Sequence, residues 1–161
     1  DTTLKTYTDV ATGIAFTYPE KITLTREKNA VVLSHSIPYK NNGGCDMSGD
    51  THAYDSLVDF RIQLELISGP KRLPYVDGNY TAGMLTGPWA YEGAEGCGYS
   101  TYSFPLPGNQ TLVVTRDSIQ PLSGVVAMDV QNEILKIPGV ISKQESDSIF
   151  KAVLTSFSVI K

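Results

Sequence analysis

Residues 57 to 67 of this 161-residue chain read LVDFRIQLELI. Every second residue is apolar, which gives the set Val58, Phe60, Ile62, Leu64 and Leu66, and the residues between them are Asp59, Arg61, Gln63 and Glu65. A period of two is typical of an antiparallel strand with one face on the core and the other in solvent. The stretch therefore predicts a half-buried strand, with the apolar set facing inward and Asp59 facing outward.

Weaker alternation on both sides of this strand predicts further strands, at residues 14–18, 23–26, 30–36, 89–92, 98–106 and 110–119. Pro107-Gly108-Asn109 is a favourable hairpin turn between the last two. A long polar loop is expected from residue 38 to residue 54. Residues 69–87 contain turn signals and leave room for a short helix near 79–85.

The C-terminal part of the chain has helical periodicity instead. Ser142-Lys143-Gln144-Glu145 is a capping-box pattern, in which Glu145 would reach back to the cap. The helix that follows has two adjoining apolar stripes, made of Ile149 and Val153 and of Phe150, Leu154 and Phe157. A shorter helix is expected at 129–136 and a last strand at 157–160. The sum predicts one α+β domain over residues 1–161, an antiparallel sheet flanked by one or two helices, with a flexible lead-in over residues 1–10.

Charge and hydropathy restrict the class of partner. The formal net charge is -4 and the isoelectric point is about 5.1. A nucleic-acid binder would normally carry a basic face, so that class is excluded. No stretch of 18 apolar residues occurs, so no transmembrane segment is predicted.

The two cysteines indicate the compartment. Cys45 and Cys97 each lie in a glycine-rich stretch and neither belongs to a C-x-x-C pair. We expect a Cys45–Cys97 disulfide, which is typical of proteins outside the cytoplasm; two unpaired thiols in a cytosolic protein are the alternative. The chain begins without Met and without a signal peptide, so we expect an exported protein whose leader or lipid anchor lies upstream.

Carboxylates and both histidines concentrate in the stretch from residue 35 to residue 59. The candidate metal ligands there are Asp46, Asp50, Asp55, His35 and His52. Carboxylates on a glycine-rich loop suit Ca²⁺, whereas two histidines with an aspartate would suit Zn²⁺. The spacing fits no known metal motif, and ordinary turn chemistry explains Asp and Gly in loops equally well.

Aromatic residues suggest a second kind of site. Tyrosine and tryptophan are enriched at binding surfaces, and the candidates for a protein, peptide or glycan ligand are Trp89, Tyr91, Glu95 and Tyr99. Where aromatic residues alternate along a strand, as Tyr102 and Phe104 do, they are expected in the core. The sequence contains no G-x-S-x-G nucleophile elbow and no glycine-rich phosphate loop.

The two ends of the chain carry a resemblance. Residues 12–22 read TGIAFTYPEKI and residues 149–159 read IFKAVLTSFSV. They resemble the opening hairpin and the closing helix and strand of PsbP-like domains and small bacterial envelope proteins, although Ile22 lies near the position where those proteins often have Trp. The resemblance implies a PsbP-like sandwich of sheet and helices, and a binding or assembly role without chemistry of its own.

Two functions are therefore expected from the sequence. The first is an extracytoplasmic binding or assembly module, in which the disulfide would bring Asp46 and Asp50 close to Glu95 and Tyr99. The second is a small metal-dependent hydrolase that uses His35, His52 and the loop aspartates.

Overall fold

The computed structural model describes residues 3–43, 45 and 53–160. Within them lie ten strands, two α-helices and a short 3-10 helix at Gln120–Leu122. The strands are β1 (Leu4–Asp9), β2 (Ile14–Pro19), β3 (Thr23–Glu27), β4 (Ala30–Asn41), β5 (Tyr54–Ser68), β6 (Gly78–Ala82), β7 (Leu85–Ala94), β8 (Cys97–Leu106), β9 (Gln110–Asp117) and β10 (Ser158–Val159). The helices are α1 (Met128–Leu135) and α2 (Lys143–Ser156).

The strands form two antiparallel sheets. The larger has the order β3-β4-β5-β9-β8-β7-β6, and the smaller has the order β1-β2-β10. The predicted α+β class, with an antiparallel sheet flanked by helices, is confirmed. Strand β1 lies within the stretch for which we expected a flexible lead-in, and all six of its residues pair with β2.

One predicted element and one predicted boundary are wrong. Residues 79–85 do not form a helix, because residues 78–82 pair with β7 as strand β6. Tyr80 of β6 packs edge-on against Tyr102 and Phe150. This packing favours the extended backbone, because the helical propensity of residues 79–85 is weak. The polar loop also starts later than expected, because β4 continues to Asn41.

The main core lies between the larger sheet, α2 and strand β2 of the smaller sheet. Both predicted helix stripes are buried there, and Phe150 contacts Tyr102 with ring centroids 4.9 Å apart. Ser142 caps α2 as predicted, since its Oγ accepts a hydrogen bond from the Glu145 amide at 3.1 Å. The Glu145 carboxylate forms an ion pair with Lys21 of the β2–β3 turn.

A second, smaller core lies beside the first. Ile37 of β4, Leu122 of the 3-10 helix and Ile134 of α1 form its centre. The two cores bring the first turn of α2 and the 3-10 helix over the same end of the sheet, and the cavity described below lies there.

Candidate functional site

A β-bulge in β5 positions the first residue of the site. His35 pairs with Phe60, but the next residue, Ser36, pairs with Val58, so Asp59 is an extra residue in the strand. Side-chain alternation therefore reverses at this point. Asp59 is 1% exposed and Val58 is 44% exposed. The prediction that Val58 faces the core and Asp59 faces solvent is wrong, because a period of two in sequence does not reveal the bulge.

The Asp59 carboxylate joins three parts of the molecule. One oxygen, Oδ1, lies 2.7 Å from Nδ1 of His35 on β4. The other, Oδ2, accepts a hydrogen bond from the Ile141 amide at 2.8 Å, just before α2 begins. Both oxygens of a buried carboxylate are thus engaged, which offsets the cost of removing the charge from water.

A cavity of about 220 Å³ lies on the helix face of the larger sheet, and we call it the front cavity. Its walls come from β5, β8, β9, the 3-10 helix and the first turn of α2. The polar side chains in these walls are Asp59, Ser100, Tyr102, Arg116, Asp117, Ser118, Ser123, Ser142, Lys143 and Ser146. The apolar ones are Ile119, Leu122 and Ile141.

Arg116 lies in the wall of the front cavity and is held by several partners. Its Nη2 donates to Asp147 Oδ1 at 2.6 Å and to Ser146 Oγ at 2.9 Å, and the guanidinium lies 4.9 Å above the Phe150 ring. Burial raises the pKa of Asp147, but the hydrogen bond and charge of Arg116, with Lys143, outweigh it and leave that pKa below its usual value. Burial raises the pKa of Tyr102, and Arg116 opposes that shift only in part.

A second cavity, of about 310 Å³, lies near the disulfide, and we call it the back cavity. Asp117, Ser118 and Ile119 line both cavities. Arg61 lines the back cavity and forms an ion pair with Asp117 at 3.6 Å. Burial raises the pKa of Asp117, while the charge of Arg61 acts in the opposite direction. We call the front and back cavities together the cleft.

The aromatic residues predicted to bind a ligand do not share one surface. Trp89 and Tyr91 lie on the helix face, since they pair with Tyr102 and Ser100, whereas Tyr99 pairs with Glu92 on the opposite face. The Trp89 ring stacks on the Tyr102 ring, with the ring centroids 6.0 Å apart. The Tyr91 hydroxyl donates to the Cys97 carbonyl, and the Tyr99 hydroxyl donates to Glu92 at 2.9 Å.

Glu95, the fourth predicted ligand residue, lies in the turn between β7 and β8. Its backbone is left-handed, with a φ of 54°, and its side chain is exposed. Its carbonyl accepts a hydrogen bond from Gln120 Nε2 at 3.2 Å. That bond links the hairpin to the 3-10 helix, which contributes lining residues to both cavities.

The predicted metal ligands are placed only in part. Asp46, Asp50 and His52 lie outside the described residues. Asp55 is exposed on β5, five residues from Phe60, which is the strand partner of His35. At about 3.3 Å per residue, His35 and Asp55 are on the order of 15 Å apart along the strand. The described part of the chain contains no group of three or more potential metal ligands. A metal site in the loop stays a prediction.

The predicted Cys45–Cys97 disulfide is confirmed. Its Cα atoms lie 5.5 Å apart across a sequence separation of 52 residues, and it joins the segment after β4 to the β7–β8 hairpin. The hairpin end is built from glycine: a Cβ on Gly93 would lie 2.0 Å from the Cys97 carbonyl, and one on Gly98 would lie 2.1 Å from the Glu92 carbonyl. The disulfide also borders the back cavity through Cys45.

Sequence reasoning missed Arg61, Arg116, Asp117 and Ser118. The available signal was the end of β9, where the buried run 111–114 and the half-buried Thr115 are followed by Arg116, Asp117 and Ser118. Charged residues at the end of a buried strand lie at the end of the sheet, but only the docking of α2 there forms a cavity.

Comparison with models of known protein families finds no match to this chain, and comparison with curated proteins finds no similar protein. Among the described residues, neither α-helix has the length and hydropathy needed to cross a membrane.

Proposed function

We propose that this protein is an extracytoplasmic binding module that holds a small polar ligand in the cleft. The observation that carries the proposal is the meeting of two cavities at Asp117, Ser118 and Ile119. Concave sites with a few convergent polar groups are where proteins bind small molecules, and each of these cavities has such groups in its walls.

Binding is favoured over catalysis because the charged groups of the cleft are engaged inside the protein. Asp59 has bonding partners at both oxygens, and Arg116 is paired with Asp147. A nucleophile or general base needs a lone pair directed at the substrate. The uncharged hydroxyl groups of the lining remain to contact a ligand.

The disulfide supports the extracytoplasmic part of the proposal. Disulfides form and persist in oxidising compartments and are rare where glutathione keeps thiols reduced. The Cys45–Cys97 bond joins two segments that border the cleft, so its loss would affect the site as well as the fold.

The proposal is tested by screening a library of small soluble compounds, neutral, acidic and basic, against the amide NMR spectrum of the protein. We expect saturable shifts at Ser100, Ser118 and Ser146. A Ser118→Trp variant would fill the cleft and should abolish these shifts. The control is Ser148→Trp on the exposed face of α2, which should leave them unchanged.

Two results would contradict the proposal. One is a set of compounds whose shifts scatter over the surface without reaching the cleft. The other is binding that survives Ser118→Trp as well as it survives Ser148→Trp.

A further inference from the structure

We propose that the front cavity takes a neutral sugar ring. This inference rests on the proposed function and narrows it from a small polar ligand to one chemical class. Three properties of the cavity carry it: charge compensation in the walls, a concentration of hydroxyl groups, and a size that suits one ring.

Charge in the walls is compensated from within the protein. The charged lining residues are two cations, Arg116 and Lys143, and two carboxylates, Asp59 and Asp117. Asp147 pairs with both cations, at 2.6 Å from Arg116 and 3.4 Å from Lys143. Arg61 pairs with Asp117 at 3.6 Å, and the Asp59 carboxylate is bonded to His35 and to the Ile141 amide.

An ionic ligand would be disfavoured by this arrangement. To gain a counter-charge, an anion would have to compete with Asp147 for Arg116, and a cation would have to compete with Arg61 for Asp117. It would also lose its own hydration on entering the cavity. A neutral ligand avoids both costs.

Hydroxyl groups are the commonest polar feature of the lining. Ser100, Ser118, Ser123, Ser142, Ser146 and Tyr102 all contribute one. The Oγ of Ser146 accepts from Arg116, and that of Ser142 accepts from the Glu145 amide, so each oxygen still has a proton that it can donate. Groups that both donate and accept match the hydroxyls of a sugar, which also do both.

Size and apolar contacts favour a single ring. The front cavity, at about 220 Å³, lies below the ~300–1,000 Å³ typical of pockets for drug-sized ligands, so it suits a small ligand. Ile119, Leu122 and Ile141 line the same cavity and offer apolar contact to the C–H bonds of a ring. A longer saccharide would continue past Asp117 and Ser118 into the back cavity, which shares them.

A series of monosaccharides that differ in charge tests the inference. Glucose, N-acetylglucosamine, galactose and mannose are titrated against the amide NMR spectrum, together with glucuronate and glucosamine. The titrations are made at about pH 6, where the amine of glucosamine is protonated. At least one neutral sugar is expected to shift the amides of Ser100, Ser118 and Ser146 with a Kd of about 1 mM or below. Glucuronate and glucosamine are expected to bind at least tenfold more weakly.

A matched pair of variants locates the binding. Ser100→Ala removes one lining hydroxyl and should weaken the bound sugar about three- to tenfold, the loss expected for one hydrogen bond. Ser148→Ala removes an exposed hydroxyl from α2 and should leave the affinity unchanged.

Several results would overturn the inference. These are tighter binding of either charged sugar, sugar shifts confined to the exposed tyrosines Tyr75 and Tyr99, or equal effects of Ser100→Ala and Ser148→Ala. If no sugar binds while other compounds still occupy the cleft, the sugar assignment fails and the proposed function stands.

Discussion

Asp59 shows how much of this structure depends on one side chain. The bulge places its carboxylate inside, where it meets His35 of β4 and the amide that precedes α2. The same group forms part of the wall of the front cavity. The buried Asp59 carboxylate therefore links strand β4 of the larger sheet to the residue that precedes α2.

Replacing Asp59 should be costly because it leaves a buried donor unsatisfied. We expect Asp59→Ala to lower the free energy of unfolding by about 3 kcal/mol, since an unmatched buried N–H costs ~1–3 kcal/mol and His35 also loses its partner. Asp59→Asn keeps one acceptor oxygen and should cost less. Urea denaturation followed by circular dichroism measures both variants.

Asp55 provides the control for this prediction. It is an exposed aspartate on the same strand, so Asp55→Ala should change stability by no more than about 0.5 kcal/mol. Equal losses for Asp55→Ala and Asp59→Ala would mean that the Asp59 contacts contribute nothing.

Asp147 should make part of the stability depend on pH. Its pKa is lowered in the folded protein, so the ionised carboxylate stabilises the fold above the usual aspartate pKa of about 3.9. That contribution is lost as the pH falls from about 3.9 through the lower, folded pKa. We expect Asp147→Asn to cost about 0.5–1 kcal/mol at neutral pH, because the side chain is 51% exposed and its pairs are screened.

The measurement is the free energy of unfolding of wild type and Asp147→Asn from neutral pH to about pH 2. The difference in unfolding free energy between the two proteins should be constant near neutral pH and should disappear in acid. It should also decrease at high salt concentration. If the difference in unfolding free energy widened as the pH fell, the pKa of Asp147 would be raised in the folded protein and not lowered.

At the scale of elements, the bulge can be tested with two isosteric substitutions. Val58→Thr should change the free energy of unfolding by less than about 0.5 kcal/mol, because Val58 is exposed. Val114→Thr on the neighbouring strand β9 should cost about 1–3 kcal/mol, because it buries a hydroxyl in the main core. Similar losses of unfolding free energy at the two positions would mean that Val58 is buried, as the uninterrupted alternation of the sequence predicts.

Local patterns predicted most of the elements correctly. The capping serine and two apolar stripes placed α2, and Gly108-Asn109 placed the β8–β9 turn, where Asn109 has a left-handed φ of 57°. Period two placed β5 but could not show that Asp59 is an extra residue, since a bulge is seen only against the partner strand. Strand β6 was missed for a similar reason, because its extended form depends on Tyr80 reaching the core.

The candidate site was less predictable than the fold. The disulfide followed from the glycine-rich surroundings of the two cysteines, but it did not lead to the cleft. Arg116, Asp117 and Ser146 come from β9 and α2, about 30 residues apart in sequence, and only tertiary packing brings them together. Patterns within one element carry no information about a cavity between elements.

At the scale of the whole molecule, both cores contribute to the formation of the cleft. The main core fixes α2 on the sheet, and the smaller core fixes the 3-10 helix and α1 beside it. Ser118 lines both cavities, and its amide donates to the Gly98 carbonyl at 2.9 Å. The front cavity is therefore the gap left where two independently packed layers meet over one sheet.

The disulfide should stabilise the molecule mainly through the unfolded state. In the chain-entropy model, closing a loop with a separation of 52 residues contributes about 4 kcal/mol. We expect the double variant Cys45→Ala, Cys97→Ala to lose about that amount in urea denaturation, followed by the fluorescence of Trp89, the only tryptophan. A reducing agent should destabilise the wild type equally and leave the double variant unaffected. A loss much larger than about 4 kcal/mol would mean that the bond also supports native packing at the hairpin, because the entropic term acts only on the unfolded chain.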